Sequence, residues 1–195
     1  MGMVRDGELT IRPHRPGLTE KLFYFISGVL TSVPLTLFVS TFTDQLCVVL
    51  PIFYASLCSI VILAPFVEEF AKAYPLFYRH GETERSIFTL GFLVGLGFGI
   101  SEFLVYILAL DAPILIRLPG IFFHGTSTSI TSYGIAKKRP VLFYLIAAFL
   151  HFINNLSALL GPFWYIGGLV AIAITCSLSW RLYHRTSERF VDQQT

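Results

Sequence analysis

Six stretches of this chain are apolar over lengths that cross, or nearly cross, a bilayer: about 22–42, 46–78, 86–109, 113–136, 140–160 and 163–183. Crossing about 30 Å of hydrocarbon takes about 20 apolar residues as a helix. Lipid offers the backbone no hydrogen bonds, so only helices or a closed barrel can span it. Runs this long read as helices, and the expected fold is an all-α polytopic membrane bundle of six transmembrane helices. Charge is scarce to match: 13% of the 195 residues are charged, against about 25% in a soluble domain. The second stretch is overlong and is expected to bend or to leave the membrane. Pro65 within it removes a helical donor and frees a carbonyl. Pro113 and Pro119 blur the start of the fourth. No cleavage pattern follows the first, which reads as a retained span rather than a signal peptide.

Cations orient the bundle. Arg5, Arg12, Arg15 and Lys21 precede the first stretch, and Arg79 and Arg85 follow the second. Lys137, Lys138 and Arg139 follow the fourth, and Arg181, Arg185 and Arg189 lie at or after the end of the sixth. All of these fall on one side of a six-span arrangement; of the 14 Lys and Arg, only Lys72 and Arg117 do not. The positive-inside rule then puts both termini in the cytoplasm. Residues 1–21 read as a cytoplasmic segment, 22–183 as the membrane bundle and 184–195 as a cytoplasmic tail, in a multi-pass protein of the cell membrane. The net charge of +2 says little about partners; no nucleic acid is expected, and the oligomeric state is open. Cys47, Cys58 and Cys176 are odd in number and lack ligand spacing, so neither a disulfide framework nor a zinc ribbon is expected.

The spans nevertheless carry ionisable groups. A charge at a membrane-helix centre costs about 2.5–3.5 kcal/mol on the insertion scale, and such residues are usually paired or functional. The segment "VEEFAK" holds Glu68, Glu69 and Lys72. The adjacent acids lie about 100° apart on a helix, so one is expected to face a cavity while the other pairs with Lys72 or a neighbouring helix. In "GFLVGLGFGISEFLVY", Gly91, Gly95 and Gly99 share a surface with Glu102 and Tyr106, the glycines reading as a helix-packing stripe. In "RLPGIFFHGTSTSITSYG", His124, Thr128 and Thr131 share a face, with Arg117 on the same side if the helix runs through Pro119. The hydroxyls are expected to bond back to their own helix or to a neighbour. In "AAFLHFINNLSALLG", His151 and Asn155 stack one turn apart, and Asn154 points about 60° from His151.

These groups fit one hydrated internal cavity. Carboxylates beside imidazoles supply a base, a proton shuttle and oxyanion donors. They are also metal ligands in kind, and a proton or ion path would use the same residue types.

The ordered set "EEFAK", "GLGFGISEFLVY", "HGTSTSITSYG" and "HFINN" resembles the successive motifs of the PrsW family of intramembrane proteases, within the wider superfamily of CAAX-processing and bacteriocin-processing proteases. The likeness covers about residues 65–160. It implies a multi-helix bundle with its active site between helices, acting on a membrane-anchored protein or peptide within the lipid bilayer. Glu68 and Glu69 match the paired-Glu motif, with Glu68 the first choice of general base. Lys72 matches the following basic residue and would stabilise carboxylate charge. Glu102 matches the acid of the next helix, and His124 the next His, a proton relay. His151 and Asn155 match the HxxxN pair assigned to the oxyanion. Ala73, where CAAX-type members carry Arg, argues against a prenyl-protein protease. Phe103, where the PrsW pattern often has Asn, is a second departure.

No metal ligand is assigned and no cofactor is required by the motifs. Zinc remains a candidate, because His151 with two or three glutamates could hold it, although HExxH is absent. A non-catalytic scaffold like that of γ-secretase and a small proton- or ion-coupled transporter are the alternatives. By depth along its helix, Glu102 is expected nearer the outer face than Glu68 and His151.

Overall fold

The computed structural model describes residues 3–5, 8–10, 14–78, 81–160 and 164–191. Arg12 and Arg79, two of the cations used above, lie outside these, as do parts of both terminal segments. A short antiparallel pair, β1 (Met3–Arg5) and β2 (Glu8–Thr10), precedes the bundle. The helices are α1 (Leu18–Ser27), α2 (Val33–Cys47), α3 (Ile52–Ser56), α4 (Ala64–Tyr78), α5 (Glu84–Ala109), α6 (Ile114–Ala136), α7 (Pro140–Leu159) and α8 (Trp164–Tyr183). Wide π-helical turns at Gly28–Ser32 and Leu57–Leu63 join α1 to α2 and α3 to α4. The β pair precedes a bundle that is all helical, as expected.

Each wide turn ends two residues before a proline, Pro34 or Pro65. A proline ring crowds the carbonyl four residues back, and a π turn makes room for it. The first rod therefore runs unbroken from Leu18 to Cys47 and the second from Ile52 to Phe77. This corrects the expected break near residues 43–45. Thr41 and Thr43 bond back to Phe38 O at 2.7 Å and Ser40 O at 3.2 Å, so these polar residues continue the helix. The turn falls instead before Pro51, the N-cap of α3.

Cys47 and Cys58 flank that turn and are joined by a disulfide. This corrects the reading that no disulfide was indicated. An odd total was a poor guide, because Cys176 is free and separate.

Among the described residues, five helical rods are long and apolar enough to cross a membrane. The exception among the six expected spans is α6, whose Ser and Thr lower its apolarity. Those hydroxyls are buried inside the bundle: Ser127, Thr128, Ser129, Thr131 and Ser132 are each at most 1% exposed. Thr128 and Ser132 bond back to carbonyls four residues earlier, and Ser129 meets Ser179 of α8 at 2.7 Å. Large apolar side chains face outward instead, such as Ile52, Leu108 and Leu115. Polar groups inside and apolar groups outside are the distribution a lipid solvent favours.

Helix α5 is the centre. Its glycines admit α6: a Cβ on Gly91 would lie 1.6 Å from Ser132 Oγ, on Gly95 2.2 Å from His124 O, and on Gly99 3.0 Å from Ile121 Cα. The opposite side admits α1, where Gly28 and Gly97 meet Val94 O and Phe25 O in the same way. Tyr24, Leu76, Leu90 and Val94 pack one core between α1, α4 and α5. Phe88, Ile130, Tyr133, Leu150 and Leu182 pack another between α5, α6, α7 and α8.

The described segments before α1 and after α8 reach the α4–α5 turn. His14 N donates to Glu82 Oε2 at 2.9 Å, and Val191 N donates to Glu82 O at 3.1 Å. Thr83 and Ser86 form a capping box that starts α5. Buried Glu84 accepts from Lys137 and from Ser187 N.

Candidate functional site

The site begins with the neighbouring acids on α4. Glu69 and Lys72 are both fully buried, and Lys72 Nζ donates to Glu69 Oε1 at 2.6 Å. Ser127 Oγ of α6 lies 3.1 Å from the same oxygen, and His151 Nδ1 of α7 at 2.9 Å. Glu69 thus ties three helices together. A buried carboxylate with this many donors is held rigidly.

The donor inventory fixes the histidine tautomers. An ammonium only donates, and Lys72 Nζ lies 3.0 Å from His124 Nδ1, so that nitrogen accepts. His124 Nε2 then carries the hydrogen and donates to Glu102 Oε2 at 2.5 Å. His151 Nδ1 donates to Glu69, which leaves its Nε2 as an acceptor, 3.7 Å from Glu68 Oε2. The two imidazoles stand edge to face at 5.3 Å between centroids, walled by Phe98 and Phe123.

Glu68 differs from its neighbour. It lines a cavity of about 610 Å³ together with Glu102, His124 and His151. Its Oε2 is buried and makes no hydrogen bond. Of the adjacent acids, therefore, Glu69 is the one paired with Lys72 and Glu68 the one at the cavity. Glu102, expected nearer the outer face, is brought to His124 because Gly95 and Gly99 let α5 and α6 approach.

The donor set suits a metal ion once one nitrogen of His124 is released from Lys72 or Glu102. One ligand atom each from Glu68, His124 and His151 lie within 4.8 Å of one another. Histidine ligands commonly donate their other ring N–H to a carboxylate, as His151 does to Glu69. An orphaned carboxylate oxygen facing an imidazole acceptor leaves a gap that a cation would fill. Imidazole and carboxylate donors suit zinc. Sequence spacing does not announce this set, because its members come from three helices.

Asn155 and Asn154 also line the cavity. Asn155 Nδ2 donates to Ile60 O at 2.9 Å. In the π register Ala64 N bonds Ser59 O, so the next donor, to Ile60 O, would be the N–H that Pro65 lacks. Asn155 satisfies the carbonyl that this proline frees. Asn154 Nδ2 lies 3.4 Å from Asn155 Oδ1.

Sequence reasoning did not place Ser127 or Arg117 in the site. Arg117 lines the cavity, approaches Glu102 Oε1 at 3.4 Å and stacks 3.3 Å from the Tyr106 ring centroid. Its position as the lone cation of its side was the available signal.

A family model described as PrsW family intramembrane metalloprotease matches residues 18–179. No curated protein and no solved structure matches the chain. The match spans all eight helices except the last turn of α8, and with them every group of the cavity. The chain therefore belongs to the PrsW family of intramembrane metalloproteases.

Proposed function

We propose that the protein is an endopeptidase that hydrolyses a peptide bond of a membrane-anchored substrate inside this cavity, with Glu68 as the base. The observation that carries the reading is the contrast between the two acids: Glu69 is saturated with donors, while Glu68 keeps an unbonded oxygen beside His151 at the cavity wall. Glu68 removes a proton from the attacking water as the oxygen bonds the carbonyl carbon. The Glu102–His124 pair passes its proton to the leaving amine as the C–N bond breaks, and the proton taken by Glu68 then returns to the pair. Glu69, Lys72 and Ser127 hold the imidazoles in place. His151 spends its one N–H on Glu69, so the developing oxyanion falls to the second amide hydrogens of Asn154 and Asn155.

Glu68, His124 and His151 would hold a zinc-type ion, which as a Lewis acid polarises a carbonyl and lowers the pKa of water. Glu68 would be one of the ligands of that ion as well as the base assigned above. As a ligand, His124 would give the ion a ring nitrogen that now meets Lys72 or Glu102.

The same reading takes α6 as a crossing as well, the fourth of six, and both termini as cytoplasmic, in the cell membrane. Its support is the cation distribution and the meeting of the described segments before α1 and after α8 at Glu82. The disulfide then lies on the outer, oxidising side, where such bonds persist. The cavity reaches Asp44, Leu115 and Arg117 on that side. The test is quantitative proteomics of membrane-protein termini in cells carrying wild type or Glu68→Gln. New termini within or beside single spans, present only with wild type, are expected. Identical termini in both would overturn the proposal.

A further inference from the structure

We propose that Arg117 is a positioning residue for this reaction: it holds Glu102 so that the second carboxylate oxygen meets His124. This rests on the functional reading above. Glu102 is shared between two partners, Arg117 NH2 on Oε1 at 3.4 Å and His124 Nε2 on Oε2 at 2.5 Å. Arg117 and His124 lie on α6, seven residues apart and two turns along one face, with Pro119 between them. Glu102 is on α5. One carboxylate on α5 is therefore gripped at two points along α6.

Arg117 is itself fixed from α5. Its guanidinium lies 3.3 Å from the centroid of Tyr106, one turn beyond Glu102. A planar guanidinium can stack on a ring and direct a donor sideways in the same pose; an ammonium cannot. Tyr106 supplies the platform, Arg117 the donor, and Glu102 receives it. The arrangement also accounts for a cation on the side of the bundle that otherwise lacks one, where nothing in the charge rule for topology calls for it. Both side chains are partly exposed to the cavity, Arg117 at 29% and Glu102 at 25%, so a carboxylate without Arg117 would be free to turn toward solvent. His124 would then lose its hydrogen-bond partner, while the Lys72 contact on Nδ1 persisted.

The experiment compares wild type, Arg117→Gln, Arg117→Lys, Tyr106→Leu and Glu68→Gln as purified, reconstituted full chains. A single-span fluorogenic peptide cut by wild type is the probe. Arg117→Gln should lower kcat by about 10- to 100-fold, as loss of outer partners typically does, with KM within about twofold of wild type. Arg117→Lys should recover part of that loss, because charge returns without the flat stack. Tyr106→Leu should lower kcat in the same direction, and it decides the matter if Arg117→Gln does not fold. Wild-type kcat in Arg117→Gln, or a loss carried by KM alone, would overturn the inference, as would wild-type kcat in Tyr106→Leu. Glu68→Gln separates the two claims. If it is inactive while Arg117→Gln is fully active, only the positioning role fails; if it is active, the functional reading itself fails.

Discussion

Gly95→Ala is the smallest change that presses directly on the site. The added Cβ would lie 2.2 Å from the carbonyl oxygen of His124 and 2.5 Å from Thr128 Oγ1. Close carbon–oxygen contacts between packed helices fall at about 3.3–3.6 Å. The shortfall is therefore about 1 Å, and it is against backbone, which cannot rotate aside. Helix α6 has to move away from α5 by a similar amount, carrying His124 with it. Overpacking of this kind costs about 1–3 kcal/mol. A displacement of about 1 Å at a reacting group can cost about 100-fold in rate, so turnover should suffer more than stability. Gly91→Ala is the comparison: its Cβ would lie 2.6 Å from Ser132 Cβ, so it too presses α6 away from α5, but three turns from the cavity groups of α5. Thermal melts in detergent and cleavage of a single-span peptide, run on both variants, check the ranking. A Gly95→Ala protein with wild-type melting and turnover would refute the claim that the glycine stripe sets the α5–α6 spacing. Larger loss in Gly91→Ala would refute the link from that spacing to His124.

Other outcomes follow from the same geometry. Glu69→Gln leaves the Lys72 ammonium buried without its counter-charge, so it should destabilise the fold by about 3–5 kcal/mol, measured by thermal or denaturant unfolding in detergent. Asn155→Ala leaves the Ile60 carbonyl without a donor and should cost about 1–3 kcal/mol of stability, with part of any activity loss recovered at lower temperature. Cys58→Ser should lower stability by about 2–3 kcal/mol, the scale for closing a short loop, and a reducing agent should do the same to wild type but not to the variant. A reporter at the C-terminus should read cytoplasmic, and an external reading would remove the six-span topology.

Much of this was legible because lipid imposes strong rules. Apolar run length gave the helices, and the rarity of buried charge singled out Glu68, Glu102, His124 and His151, which line one cavity, and Glu69 and Lys72, which hold the two imidazoles from behind it. What each group does with its hydrogen bonds was not legible, since partners come from other helices. The stacked pair His151 and Asn155 looked alike in sequence, yet one nitrogen faces Glu69 and one amide serves Ile60 O. That second bond depends on Pro65 lying in a π register, which periodicity alone does not disclose. The first stretch was ended too early, near 42, because the back-bonding of Thr41 and Thr43 to their own helix is invisible in a polarity count. The disulfide was missed by counting cysteines instead of asking which two flank the same turn.

The most direct measurement is hydrolysis of a membrane-anchored peptide by the purified protein in liposomes, wild type against Glu68→Gln, with both products identified by mass. Gln keeps the volume and hydrogen-bonding capacity of Glu68 but cannot take a proton. The account predicts cleavage at one bond by wild type and none by a Glu68→Gln protein of equal melting temperature. A folded Glu68→Gln protein that cleaves at the wild-type rate would contradict it.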